Sequence, residues 1–119
     1  MGVRLLSAIA VCAVFTAPAA LGQTSDTAAD AFRRAERIIK NHRLLTPKAQ
    51  RCSKLVLRNG NNDRIAKVGV YEKHNSVCGG DPDIEHRLFD LEIDMKTGAA
   101  KWDNNMPDME MRPVPRRRR

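Results

Sequence analysis

The fold of this chain is decided by the stretch FDLEIDMKTGAAKW, residues 89–102. Apolar and acidic side chains alternate over its first six positions, which is the period of a β-strand with one buried face. A Thr-Gly pair then turns the chain. If Ala100 of the return strand lies opposite Ile93, Trp102 lies opposite Leu91, and apolar residues face apolar residues. The stretch therefore predicts an antiparallel hairpin.

A second hairpin is predicted on the N-terminal side of the first. Leu55 and Leu57 occupy alternate positions, and the polar run 59–63 that follows is typical of a turn. The return strand has one apolar face, formed by Ala66, Val68 and Val70. A register with Leu57 opposite Ala66 places Leu55 opposite Val68 and keeps both apolar sets on the same face of the sheet.

One amphipathic helix is predicted ahead of the hairpins, over residues 26–44. Its apolar stripe recurs every three or four positions and consists of Ala28, Ala31, Phe32, Ala35, Ile38, Ile39 and His42. Thr27, with Asp30 three positions later, has the spacing of an N-terminal capping box, and Pro47 prevents the helix from continuing. The predicted fold class is α+β, with one N-terminal helix packed on a four-stranded antiparallel sheet of two hairpins.

The first 22 residues have the pattern of a secretory signal peptide. Arg4 supplies the positive start, residues 5–15 carry no charge, and small residues follow up to Gly22. We expect cleavage after Gly22; cleavage after Ala19 and lipidation at Cys12 are the alternatives. The mature protein would then be periplasmic or secreted. No apolar run reaches the ~18–20 residues that a membrane span needs.

Cleavage would leave two cysteines, Cys52 and Cys78, in the mature chain. An even number of cysteines in an oxidising compartment predicts one disulfide, and two free thiols are the alternative. We expect a single domain over residues 23–106. Residues 107–119 contain three prolines and end in four consecutive arginines, so we expect a disordered basic tail.

Charge is segregated along the chain, whose formal net charge is +7. Residues 23–67 carry 11 basic and 4 acidic groups, whereas residues 68–111 carry 4 basic and 10 acidic groups. Either these regions pair with each other within the fold, or a basic surface faces outward and binds an anionic partner. The candidate anion-binding residues lie on the helix and in the tail: Arg33, Arg34, Arg37, Lys40, Arg116, Arg117, Arg118 and Arg119.

The segment after Cys78 is the most distinctive loop of the sequence. Two glycines permit positive φ beside the cysteine, and a proline fixes the direction in which the chain leaves. Such a loop is either purely structural or a rigid element that enters a partner's cleft with little ordering cost. The candidate partner loop consists of Gly79, Gly80, Asp81 and Pro82.

Residues that could bind a metal or act in catalysis are present without a recognised spacing. His74 and His86 are twelve positions apart, and the carboxylates between them, Asp81, Asp83 and Glu85, do not form a calcium loop. The serines lack a nucleophile elbow, and oxidised cysteines offer no thiolate. We therefore expect a non-enzymatic protein without a cofactor; an enzyme with a metal at the two histidines is the alternative.

The segment Ile93-Asp94-x-x-Thr97-Gly98 resembles the hairpin of PepSY-like domains in small exported bacterial proteins. Those domains have a helix before antiparallel strands, a strand that ends in Asp, a Thr-Gly turn and a return strand. The resemblance implies a protein that inhibits or regulates proteases outside the cytoplasm. The Gly79-Gly80 loop and the arginine tail depart from this pattern, and no functional residue is transferred from it.

Two functions from different classes fit these observations. The first is a small exported protein that binds another macromolecule through the loop after Cys78, as an inhibitor of a protease or lysozyme. The second is an envelope protein that binds polyanions, lipopolysaccharide or anionic lipid, through its basic helix and arginine tail. Nucleic acid is not expected as a partner, because export takes the protein away from it and no aromatic residues interleave the basic runs.

Overall fold

The computed structural model describes residues 13–14, 23–104 and 106–116, which include only Ala13 and Val14 of the predicted signal peptide. The elements are α1 (Gln23–Asn41), α2 (Pro47–Arg51), β1 (Ser53–Leu57), β2 (Ile65–Glu72), β3 (Arg87–Asp94), β4 (Ala100–Trp102) and β5 (Arg112–Pro113). The strands form one antiparallel sheet in the order β1-β2-β3-β4-β5, and α1 packs across β2 and β3. The α+β class is confirmed. The expectation of four strands is wrong, because β5 adds a fifth.

The hairpin of β3 and β4 has the predicted register, which pairs Leu91 with Trp102. The Asp94 carboxylate holds its turn, because Oδ1 accepts hydrogen bonds from the N–H groups of Lys96 and Thr97 at 2.9 and 3.1 Å. The bond from Thr97 is the main reason why the pKa of Asp94 lies below its ordinary value. The strand therefore ends in an ionised side chain that orders the turn.

The hairpin of β1 and β2 is displaced by two residues from the predicted register, since Leu57 pairs with Val68. A shift of two preserves the alternation, so both apolar sets still face α1. The Asn61 side chain spans the mouth of the turn, where it donates to the Arg58 carbonyl and accepts from the Lys67 N–H. These side-chain bonds favour the observed register, and a period-two pattern does not encode them.

α1 begins at Gln23, four residues before the predicted N-cap. The capping box at Thr27 is therefore wrong, because this residue lies inside the helix. Asp30 instead forms ion pairs one turn along the helix, with Arg34 at 3.1 Å and Arg33 at 3.8 Å. Pairs at this spacing stabilise a helix by about 0.2–0.5 kcal/mol each.

The end of α1 is a Schellman-type turn. Arg43 adopts a left-handed conformation with φ of 51°, and the Leu44 N–H donates to the Ile39 carbonyl at 3.0 Å. α2 follows directly, with Thr46 as its N-cap and Pro47 in its first turn. Pro47 thus begins a second, five-residue helix that the sequence pattern did not predict.

The core lies between α1 and the sheet. Its buried side chains come from α1 and the two central strands: Ala31, Ala35, Ile39, Ala66, Val68, Val70, Phe89, Leu91 and Ile93. Small alanines on α1 let the helix lie close to the sheet. Trp102 flanks the core, and its ring meets that of Phe89 edge-on, with centroids 5.3 Å apart.

β5 lies within the segment that we expected to be a disordered tail. Pro113 pairs with Lys101, the Val114 N–H donates to the Ala100 carbonyl at 3.2 Å, and Val114 packs against the core. Disorder is therefore the wrong expectation here; an edge strand tolerates proline because its outer side needs no donor. In the described part of the chain, neither helix combines the length and apolar character that crossing a membrane requires.

Candidate partner-binding site

The loop that joins β2 to β3 is attached to the sheet by a disulfide. Cys78 in this loop is bonded to Cys52, immediately before β1, with the Cα atoms 5.6 Å apart. The predicted disulfide is thereby confirmed. The two residues are 26 positions apart. A disulfide that closes a loop of this length lowers the entropy of the unfolded chain and so stabilises the fold by about 3.5 kcal/mol. A surface segment is thus held in one place.

The tip of this loop presents one apolar side chain to solvent. Asn75 and Gly79 exchange backbone hydrogen bonds of 3.2 and 2.8 Å, and the Asn75 carboxamide accepts from the N–H groups of Val77 and Cys78. These backbone and carboxamide bonds order the tip and do not involve the side chain of Val77, a residue that is 90% exposed. Ile84, farther along the loop, is 56% exposed. Val77 was not predicted as a site residue from the sequence; its signal there is an apolar residue outside any periodic pattern.

The four residues of the predicted partner loop have different surroundings. Gly79 and Gly80 both have positive φ, 78° and 81°. A Cβ at Gly79 would meet open space, whereas one at Gly80 would lie 2.6 Å from Cδ2 of His74. Gly80 therefore lets the backbone lie against the imidazole. Asp81 follows, with its carbonyl bonded to that imidazole, and Pro82 is exposed.

His74 lies between the loop and β2, and its charge follows from its partners. Nδ1 is 2.8 Å from the Asp81 carbonyl oxygen, which can only accept, and Nε2 is 2.8 Å from Oε2 of Glu72. The bond to Glu72 raises the pKa of His74, and bonds from His74 and then His86 lower the pKa of Glu72. Below its raised pKa, His74 is an imidazolium that donates from both ring nitrogens and joins the loop to the sheet.

The sequence contains five possible metal ligands in this region: His74, His86, Asp81, Asp83 and Glu85. The two histidines converge on the same carboxylate oxygen of Glu72, at 2.8 and 3.2 Å, which their spacing did not predict. Glu85 forms an ion pair with Lys54 instead of joining the two histidines. Among the residues that the structure describes, no three or more histidine, cysteine or carboxylate side chains are grouped to hold a metal ion.

The segregated charges pair in part across the sheet. Three ion pairs join the basic region to the acidic region: Lys54–Glu85, Arg58–Asp90 and Arg64–Asp94. Arg87 also binds Asp103, which is 1% exposed and accepts from the Asp90 N–H at 3.0 Å. Pairing within the fold therefore accounts for these groups.

The candidate basic surface is partly assembled. Its described members are Arg33, Arg34, Arg37, Lys40 and Arg116. Arg33 and Arg34 form ion pairs with Asp30, and all five residues except Arg34 are exposed. His42 donates to the Pro115 carbonyl at 2.8 Å, so Pro115, which directly precedes the four arginines in sequence, lies beside the C-terminal end of α1. Arg117, Arg118 and Arg119 lie outside the described residues.

The chain matches no protein-family model, and no curated protein or solved structure is significantly similar to it. The resemblance to PepSY-like domains therefore stays a prediction from the hairpin residues. The function proposed below rests on the geometry of the loop and the charges around it.

Replacing each glycine of the loop by alanine is expected to separate backbone strain from steric contact. Both residues have φ near +80°, so each substitution costs about 1–2 kcal/mol of strain. Gly80→Ala also places a methyl group against His74, and we expect it to destabilise the protein by about 1–2 kcal/mol more than Gly79→Ala. Chemical denaturation measures the difference, and equal losses of stability would contradict the contact between Gly80 and His74.

The loop is expected to be most stable between pH 4.5 and 6.5, the ordinary pKa values of its two partners Glu72 and His74. Folding raises the pKa of His74, so its contribution is complete below pH 6.5 and is lost as the pH rises through the raised value. Folding lowers the pKa of Glu72, so its contribution is lost as the pH falls through that lowered value.

Amide exchange of the Gly79 N–H between pH 4 and 9 measures this dependence. His74→Gln should flatten the alkaline loss of protection, whereas His42→Gln, which removes a histidine bonded to the Pro115 carbonyl and not to the loop, should leave it unchanged. An alkaline loss of the same size in His74→Gln would show that another group controls the loop.

Proposed function

We propose that this protein is exported, is not an enzyme, and inhibits a hydrolase, a protease or lysozyme, by inserting the segment 75–84 into its cleft. One observation carries the proposal. Val77 is 90% exposed at the tip of a loop whose backbone is ordered by the disulfide and by the Asn75 side chain. A projecting apolar residue on an ordered loop suits a concave site, which is the shape of a substrate cleft.

The order of the loop before binding supports this role. The disulfide, the turn at Asn75 and the contact between Gly80 and His74 restrict the segment in the free protein. Association therefore loses less conformational entropy than it would with a flexible loop. Burial of the Val77 side chain in a partner contributes roughly 1.5–3 kcal/mol.

The charges near the tip favour a cationic target. Asp81 and Asp83 are exposed on the same loop, and the region 68–111 to which they belong is acidic. Lysozyme is cationic, so the acidic side chains of the loop complement it locally. The predicted signal peptide and the PepSY-like hairpin support a target outside the cytoplasm.

Val77→Asp is expected to weaken inhibition at least tenfold, because a carboxylate replaces the side chain that would be buried in the cleft. Residual activity of lysozyme and of envelope proteases is measured against increasing inhibitor, together with capture of partners from envelope extract. Met109→Ser changes an apolar side chain of 53% exposure outside the loop and should inhibit as the unchanged protein does. The proposal fails if the unchanged protein inhibits no hydrolase, or if Val77→Asp inhibits equally well.

A second candidate function is binding to a polyanion of the envelope, lipopolysaccharide or anionic lipid. The observation that favours it is the hydrogen bond from His42 to Pro115, which brings the start of the arginine tail beside the end of α1. Arg37 and Lys40 are exposed on that helix, so basic residues distant in sequence belong to neighbouring parts of the surface. Each basic group near an anionic membrane contributes about 1 kcal/mol.

Deletion of residues 116–119 is expected to reduce binding to vesicles of anionic lipid more than tenfold, because four basic groups are lost. Cosedimentation at increasing salt measures this loss, and salt should weaken binding of the full chain more than that of the truncated chain. Lys96→Gln removes one charge from the β3–β4 turn and serves as the control. Equal vesicle binding by the truncated and full chains would eliminate this function.

A further inference from the structure

The outer edge of β1 is a second surface of interest, separate from the loop that carries the proposed inhibition. β1 is the terminal strand of the sheet, and no strand of the described residues pairs with its outer side. An unpaired edge of this kind can accept another strand through backbone hydrogen bonds.

The backbone groups of β1 that face outward follow from its pairing with β2. The Lys73 N–H donates to the Cys52 carbonyl at 2.7 Å, and the Arg58 N–H donates to the Lys67 carbonyl at 2.8 Å. Even-numbered positions from 52 to 58 therefore direct their N–H and C=O groups toward β2. Leu55 and Leu57, at the alternate positions, direct theirs toward solvent.

Two cavities open along this edge, both on the side of the sheet that α1 covers. The first, of about 510 Å³, includes Phe32, Ile39 and Leu55 in its lining. The second, of about 430 Å³, includes Ala31, Leu57 and the acidic residue Asp63. Because alternate residues of a strand point to the same face, a strand added to β1 would direct one side chain toward each cavity.

The charge of this edge selects the kind of strand. Residues 48–58 contain four basic residues and no acidic residue. Lys54 and Arg58 already form ion pairs with Glu85 and Asp90, so Lys48 and Arg51 are the exposed basic residues that a partner strand would meet. Lys40 and Arg51 also line the first cavity, beside the single acid Glu36. A second copy of the chain would bring this basic strand against itself, which like-charge repulsion disfavours.

We propose that the edge of β1 binds an extended acidic segment of another protein by strand addition, with two apolar side chains of that segment, two positions apart, entering the cavities at Leu55 and Leu57. The backbone bonds provide the register, the cavities select alternate apolar residues, and Lys40 and Arg51 select negative charge at the end of the edge beside the first cavity. This site extends beyond the proposed inhibition and does not depend on it.

The probe is the blocked peptide acetyl-Glu-Glu-Val-Thr-Val-Glu-Glu-amide, and residue-level amide exchange of the protein is followed by NMR as the peptide is added. Exchange of the Leu55 and Leu57 amides should slow about tenfold at saturation, because their N–H groups gain acceptors. The Lys54 and Val56 amides already face β2 and should change less than twofold. The counterpart peptide with lysine in place of each glutamate should not bind.

Two protein variants test the charge selection. Arg51→Glu should weaken binding of the acidic peptide about fivefold, whereas Lys96→Glu, an equal change in the distant β3–β4 turn, should alter it less than twofold. Val77→Asp should bind this peptide as the unchanged protein does, so that a failure of the inhibitory loop and a failure of the β1 edge are seen separately.

Several outcomes would overturn the inference. One is unchanged exchange at Leu55 and Leu57 with the acidic peptide present at its solubility limit. Another is equal binding of the acidic and lysine peptides. A third is protection of Leu55 and Leu57 that grows with protein concentration and needs no peptide, because a second copy of the chain would then occupy the edge.

Discussion

The disulfide between Cys52 and Cys78 is the constraint on which the projecting loop and the edge strand β1 both depend. It joins the residue that precedes the edge strand β1 to the middle of the loop between β2 and β3. Its stabilisation of about 3.5 kcal/mol is a large part of the roughly 5–15 kcal/mol by which a domain of this kind is stable. The bond also fixes where the loop begins to project, which no hydrophobic contact of Val77 could do, since that side chain is exposed.

His74 completes what the disulfide begins. Its ring bonds to the Asp81 carbonyl on the loop and to the Glu72 carboxylate at the end of β2, so the loop is held to the sheet at a second point besides the disulfide. The close approach of Gly80 to the ring is possible because glycine has no Cβ. A half-buried charge is retained here because both of its N–H groups have acceptors.

The antiparallel sheet also determines where charge remains on the surface. Its topology brings the basic residues around β1 and β2 beside the acidic residues of β3 and its preceding loop, and three ion pairs form between them. Basic groups beside the first cavity, Lys40 and Arg51, stay exposed, as do Asp81 and Asp83 on the loop. The protein therefore presents a basic strand edge and an acidic loop, which suit different partners.

Part of this architecture was determined by the sequence alone. Alternation and a short turn leave one register for β3 and β4, because a slip by one residue would expose Leu91 and its neighbours. The even count of cysteines after the predicted leader was sufficient to pair Cys52 with Cys78. The loop at Gly79 and Gly80 was also recognisable from the sequence as a constrained segment, because two glycines, which permit positive φ, directly follow a disulfide cysteine.

Other features were decided only by the tertiary structure. The Asn61 side chain helps to set the register of β1. β5 pairs with the edge of β4. Glu72 binds two histidines that are twelve positions apart in the sequence. Likewise, only the folded loop shows that Val77 is its most exposed apolar side chain. Periodicity encodes which face of an element is buried, whereas these features depend on groups that meet only when the closed loop and the sheet edges have formed.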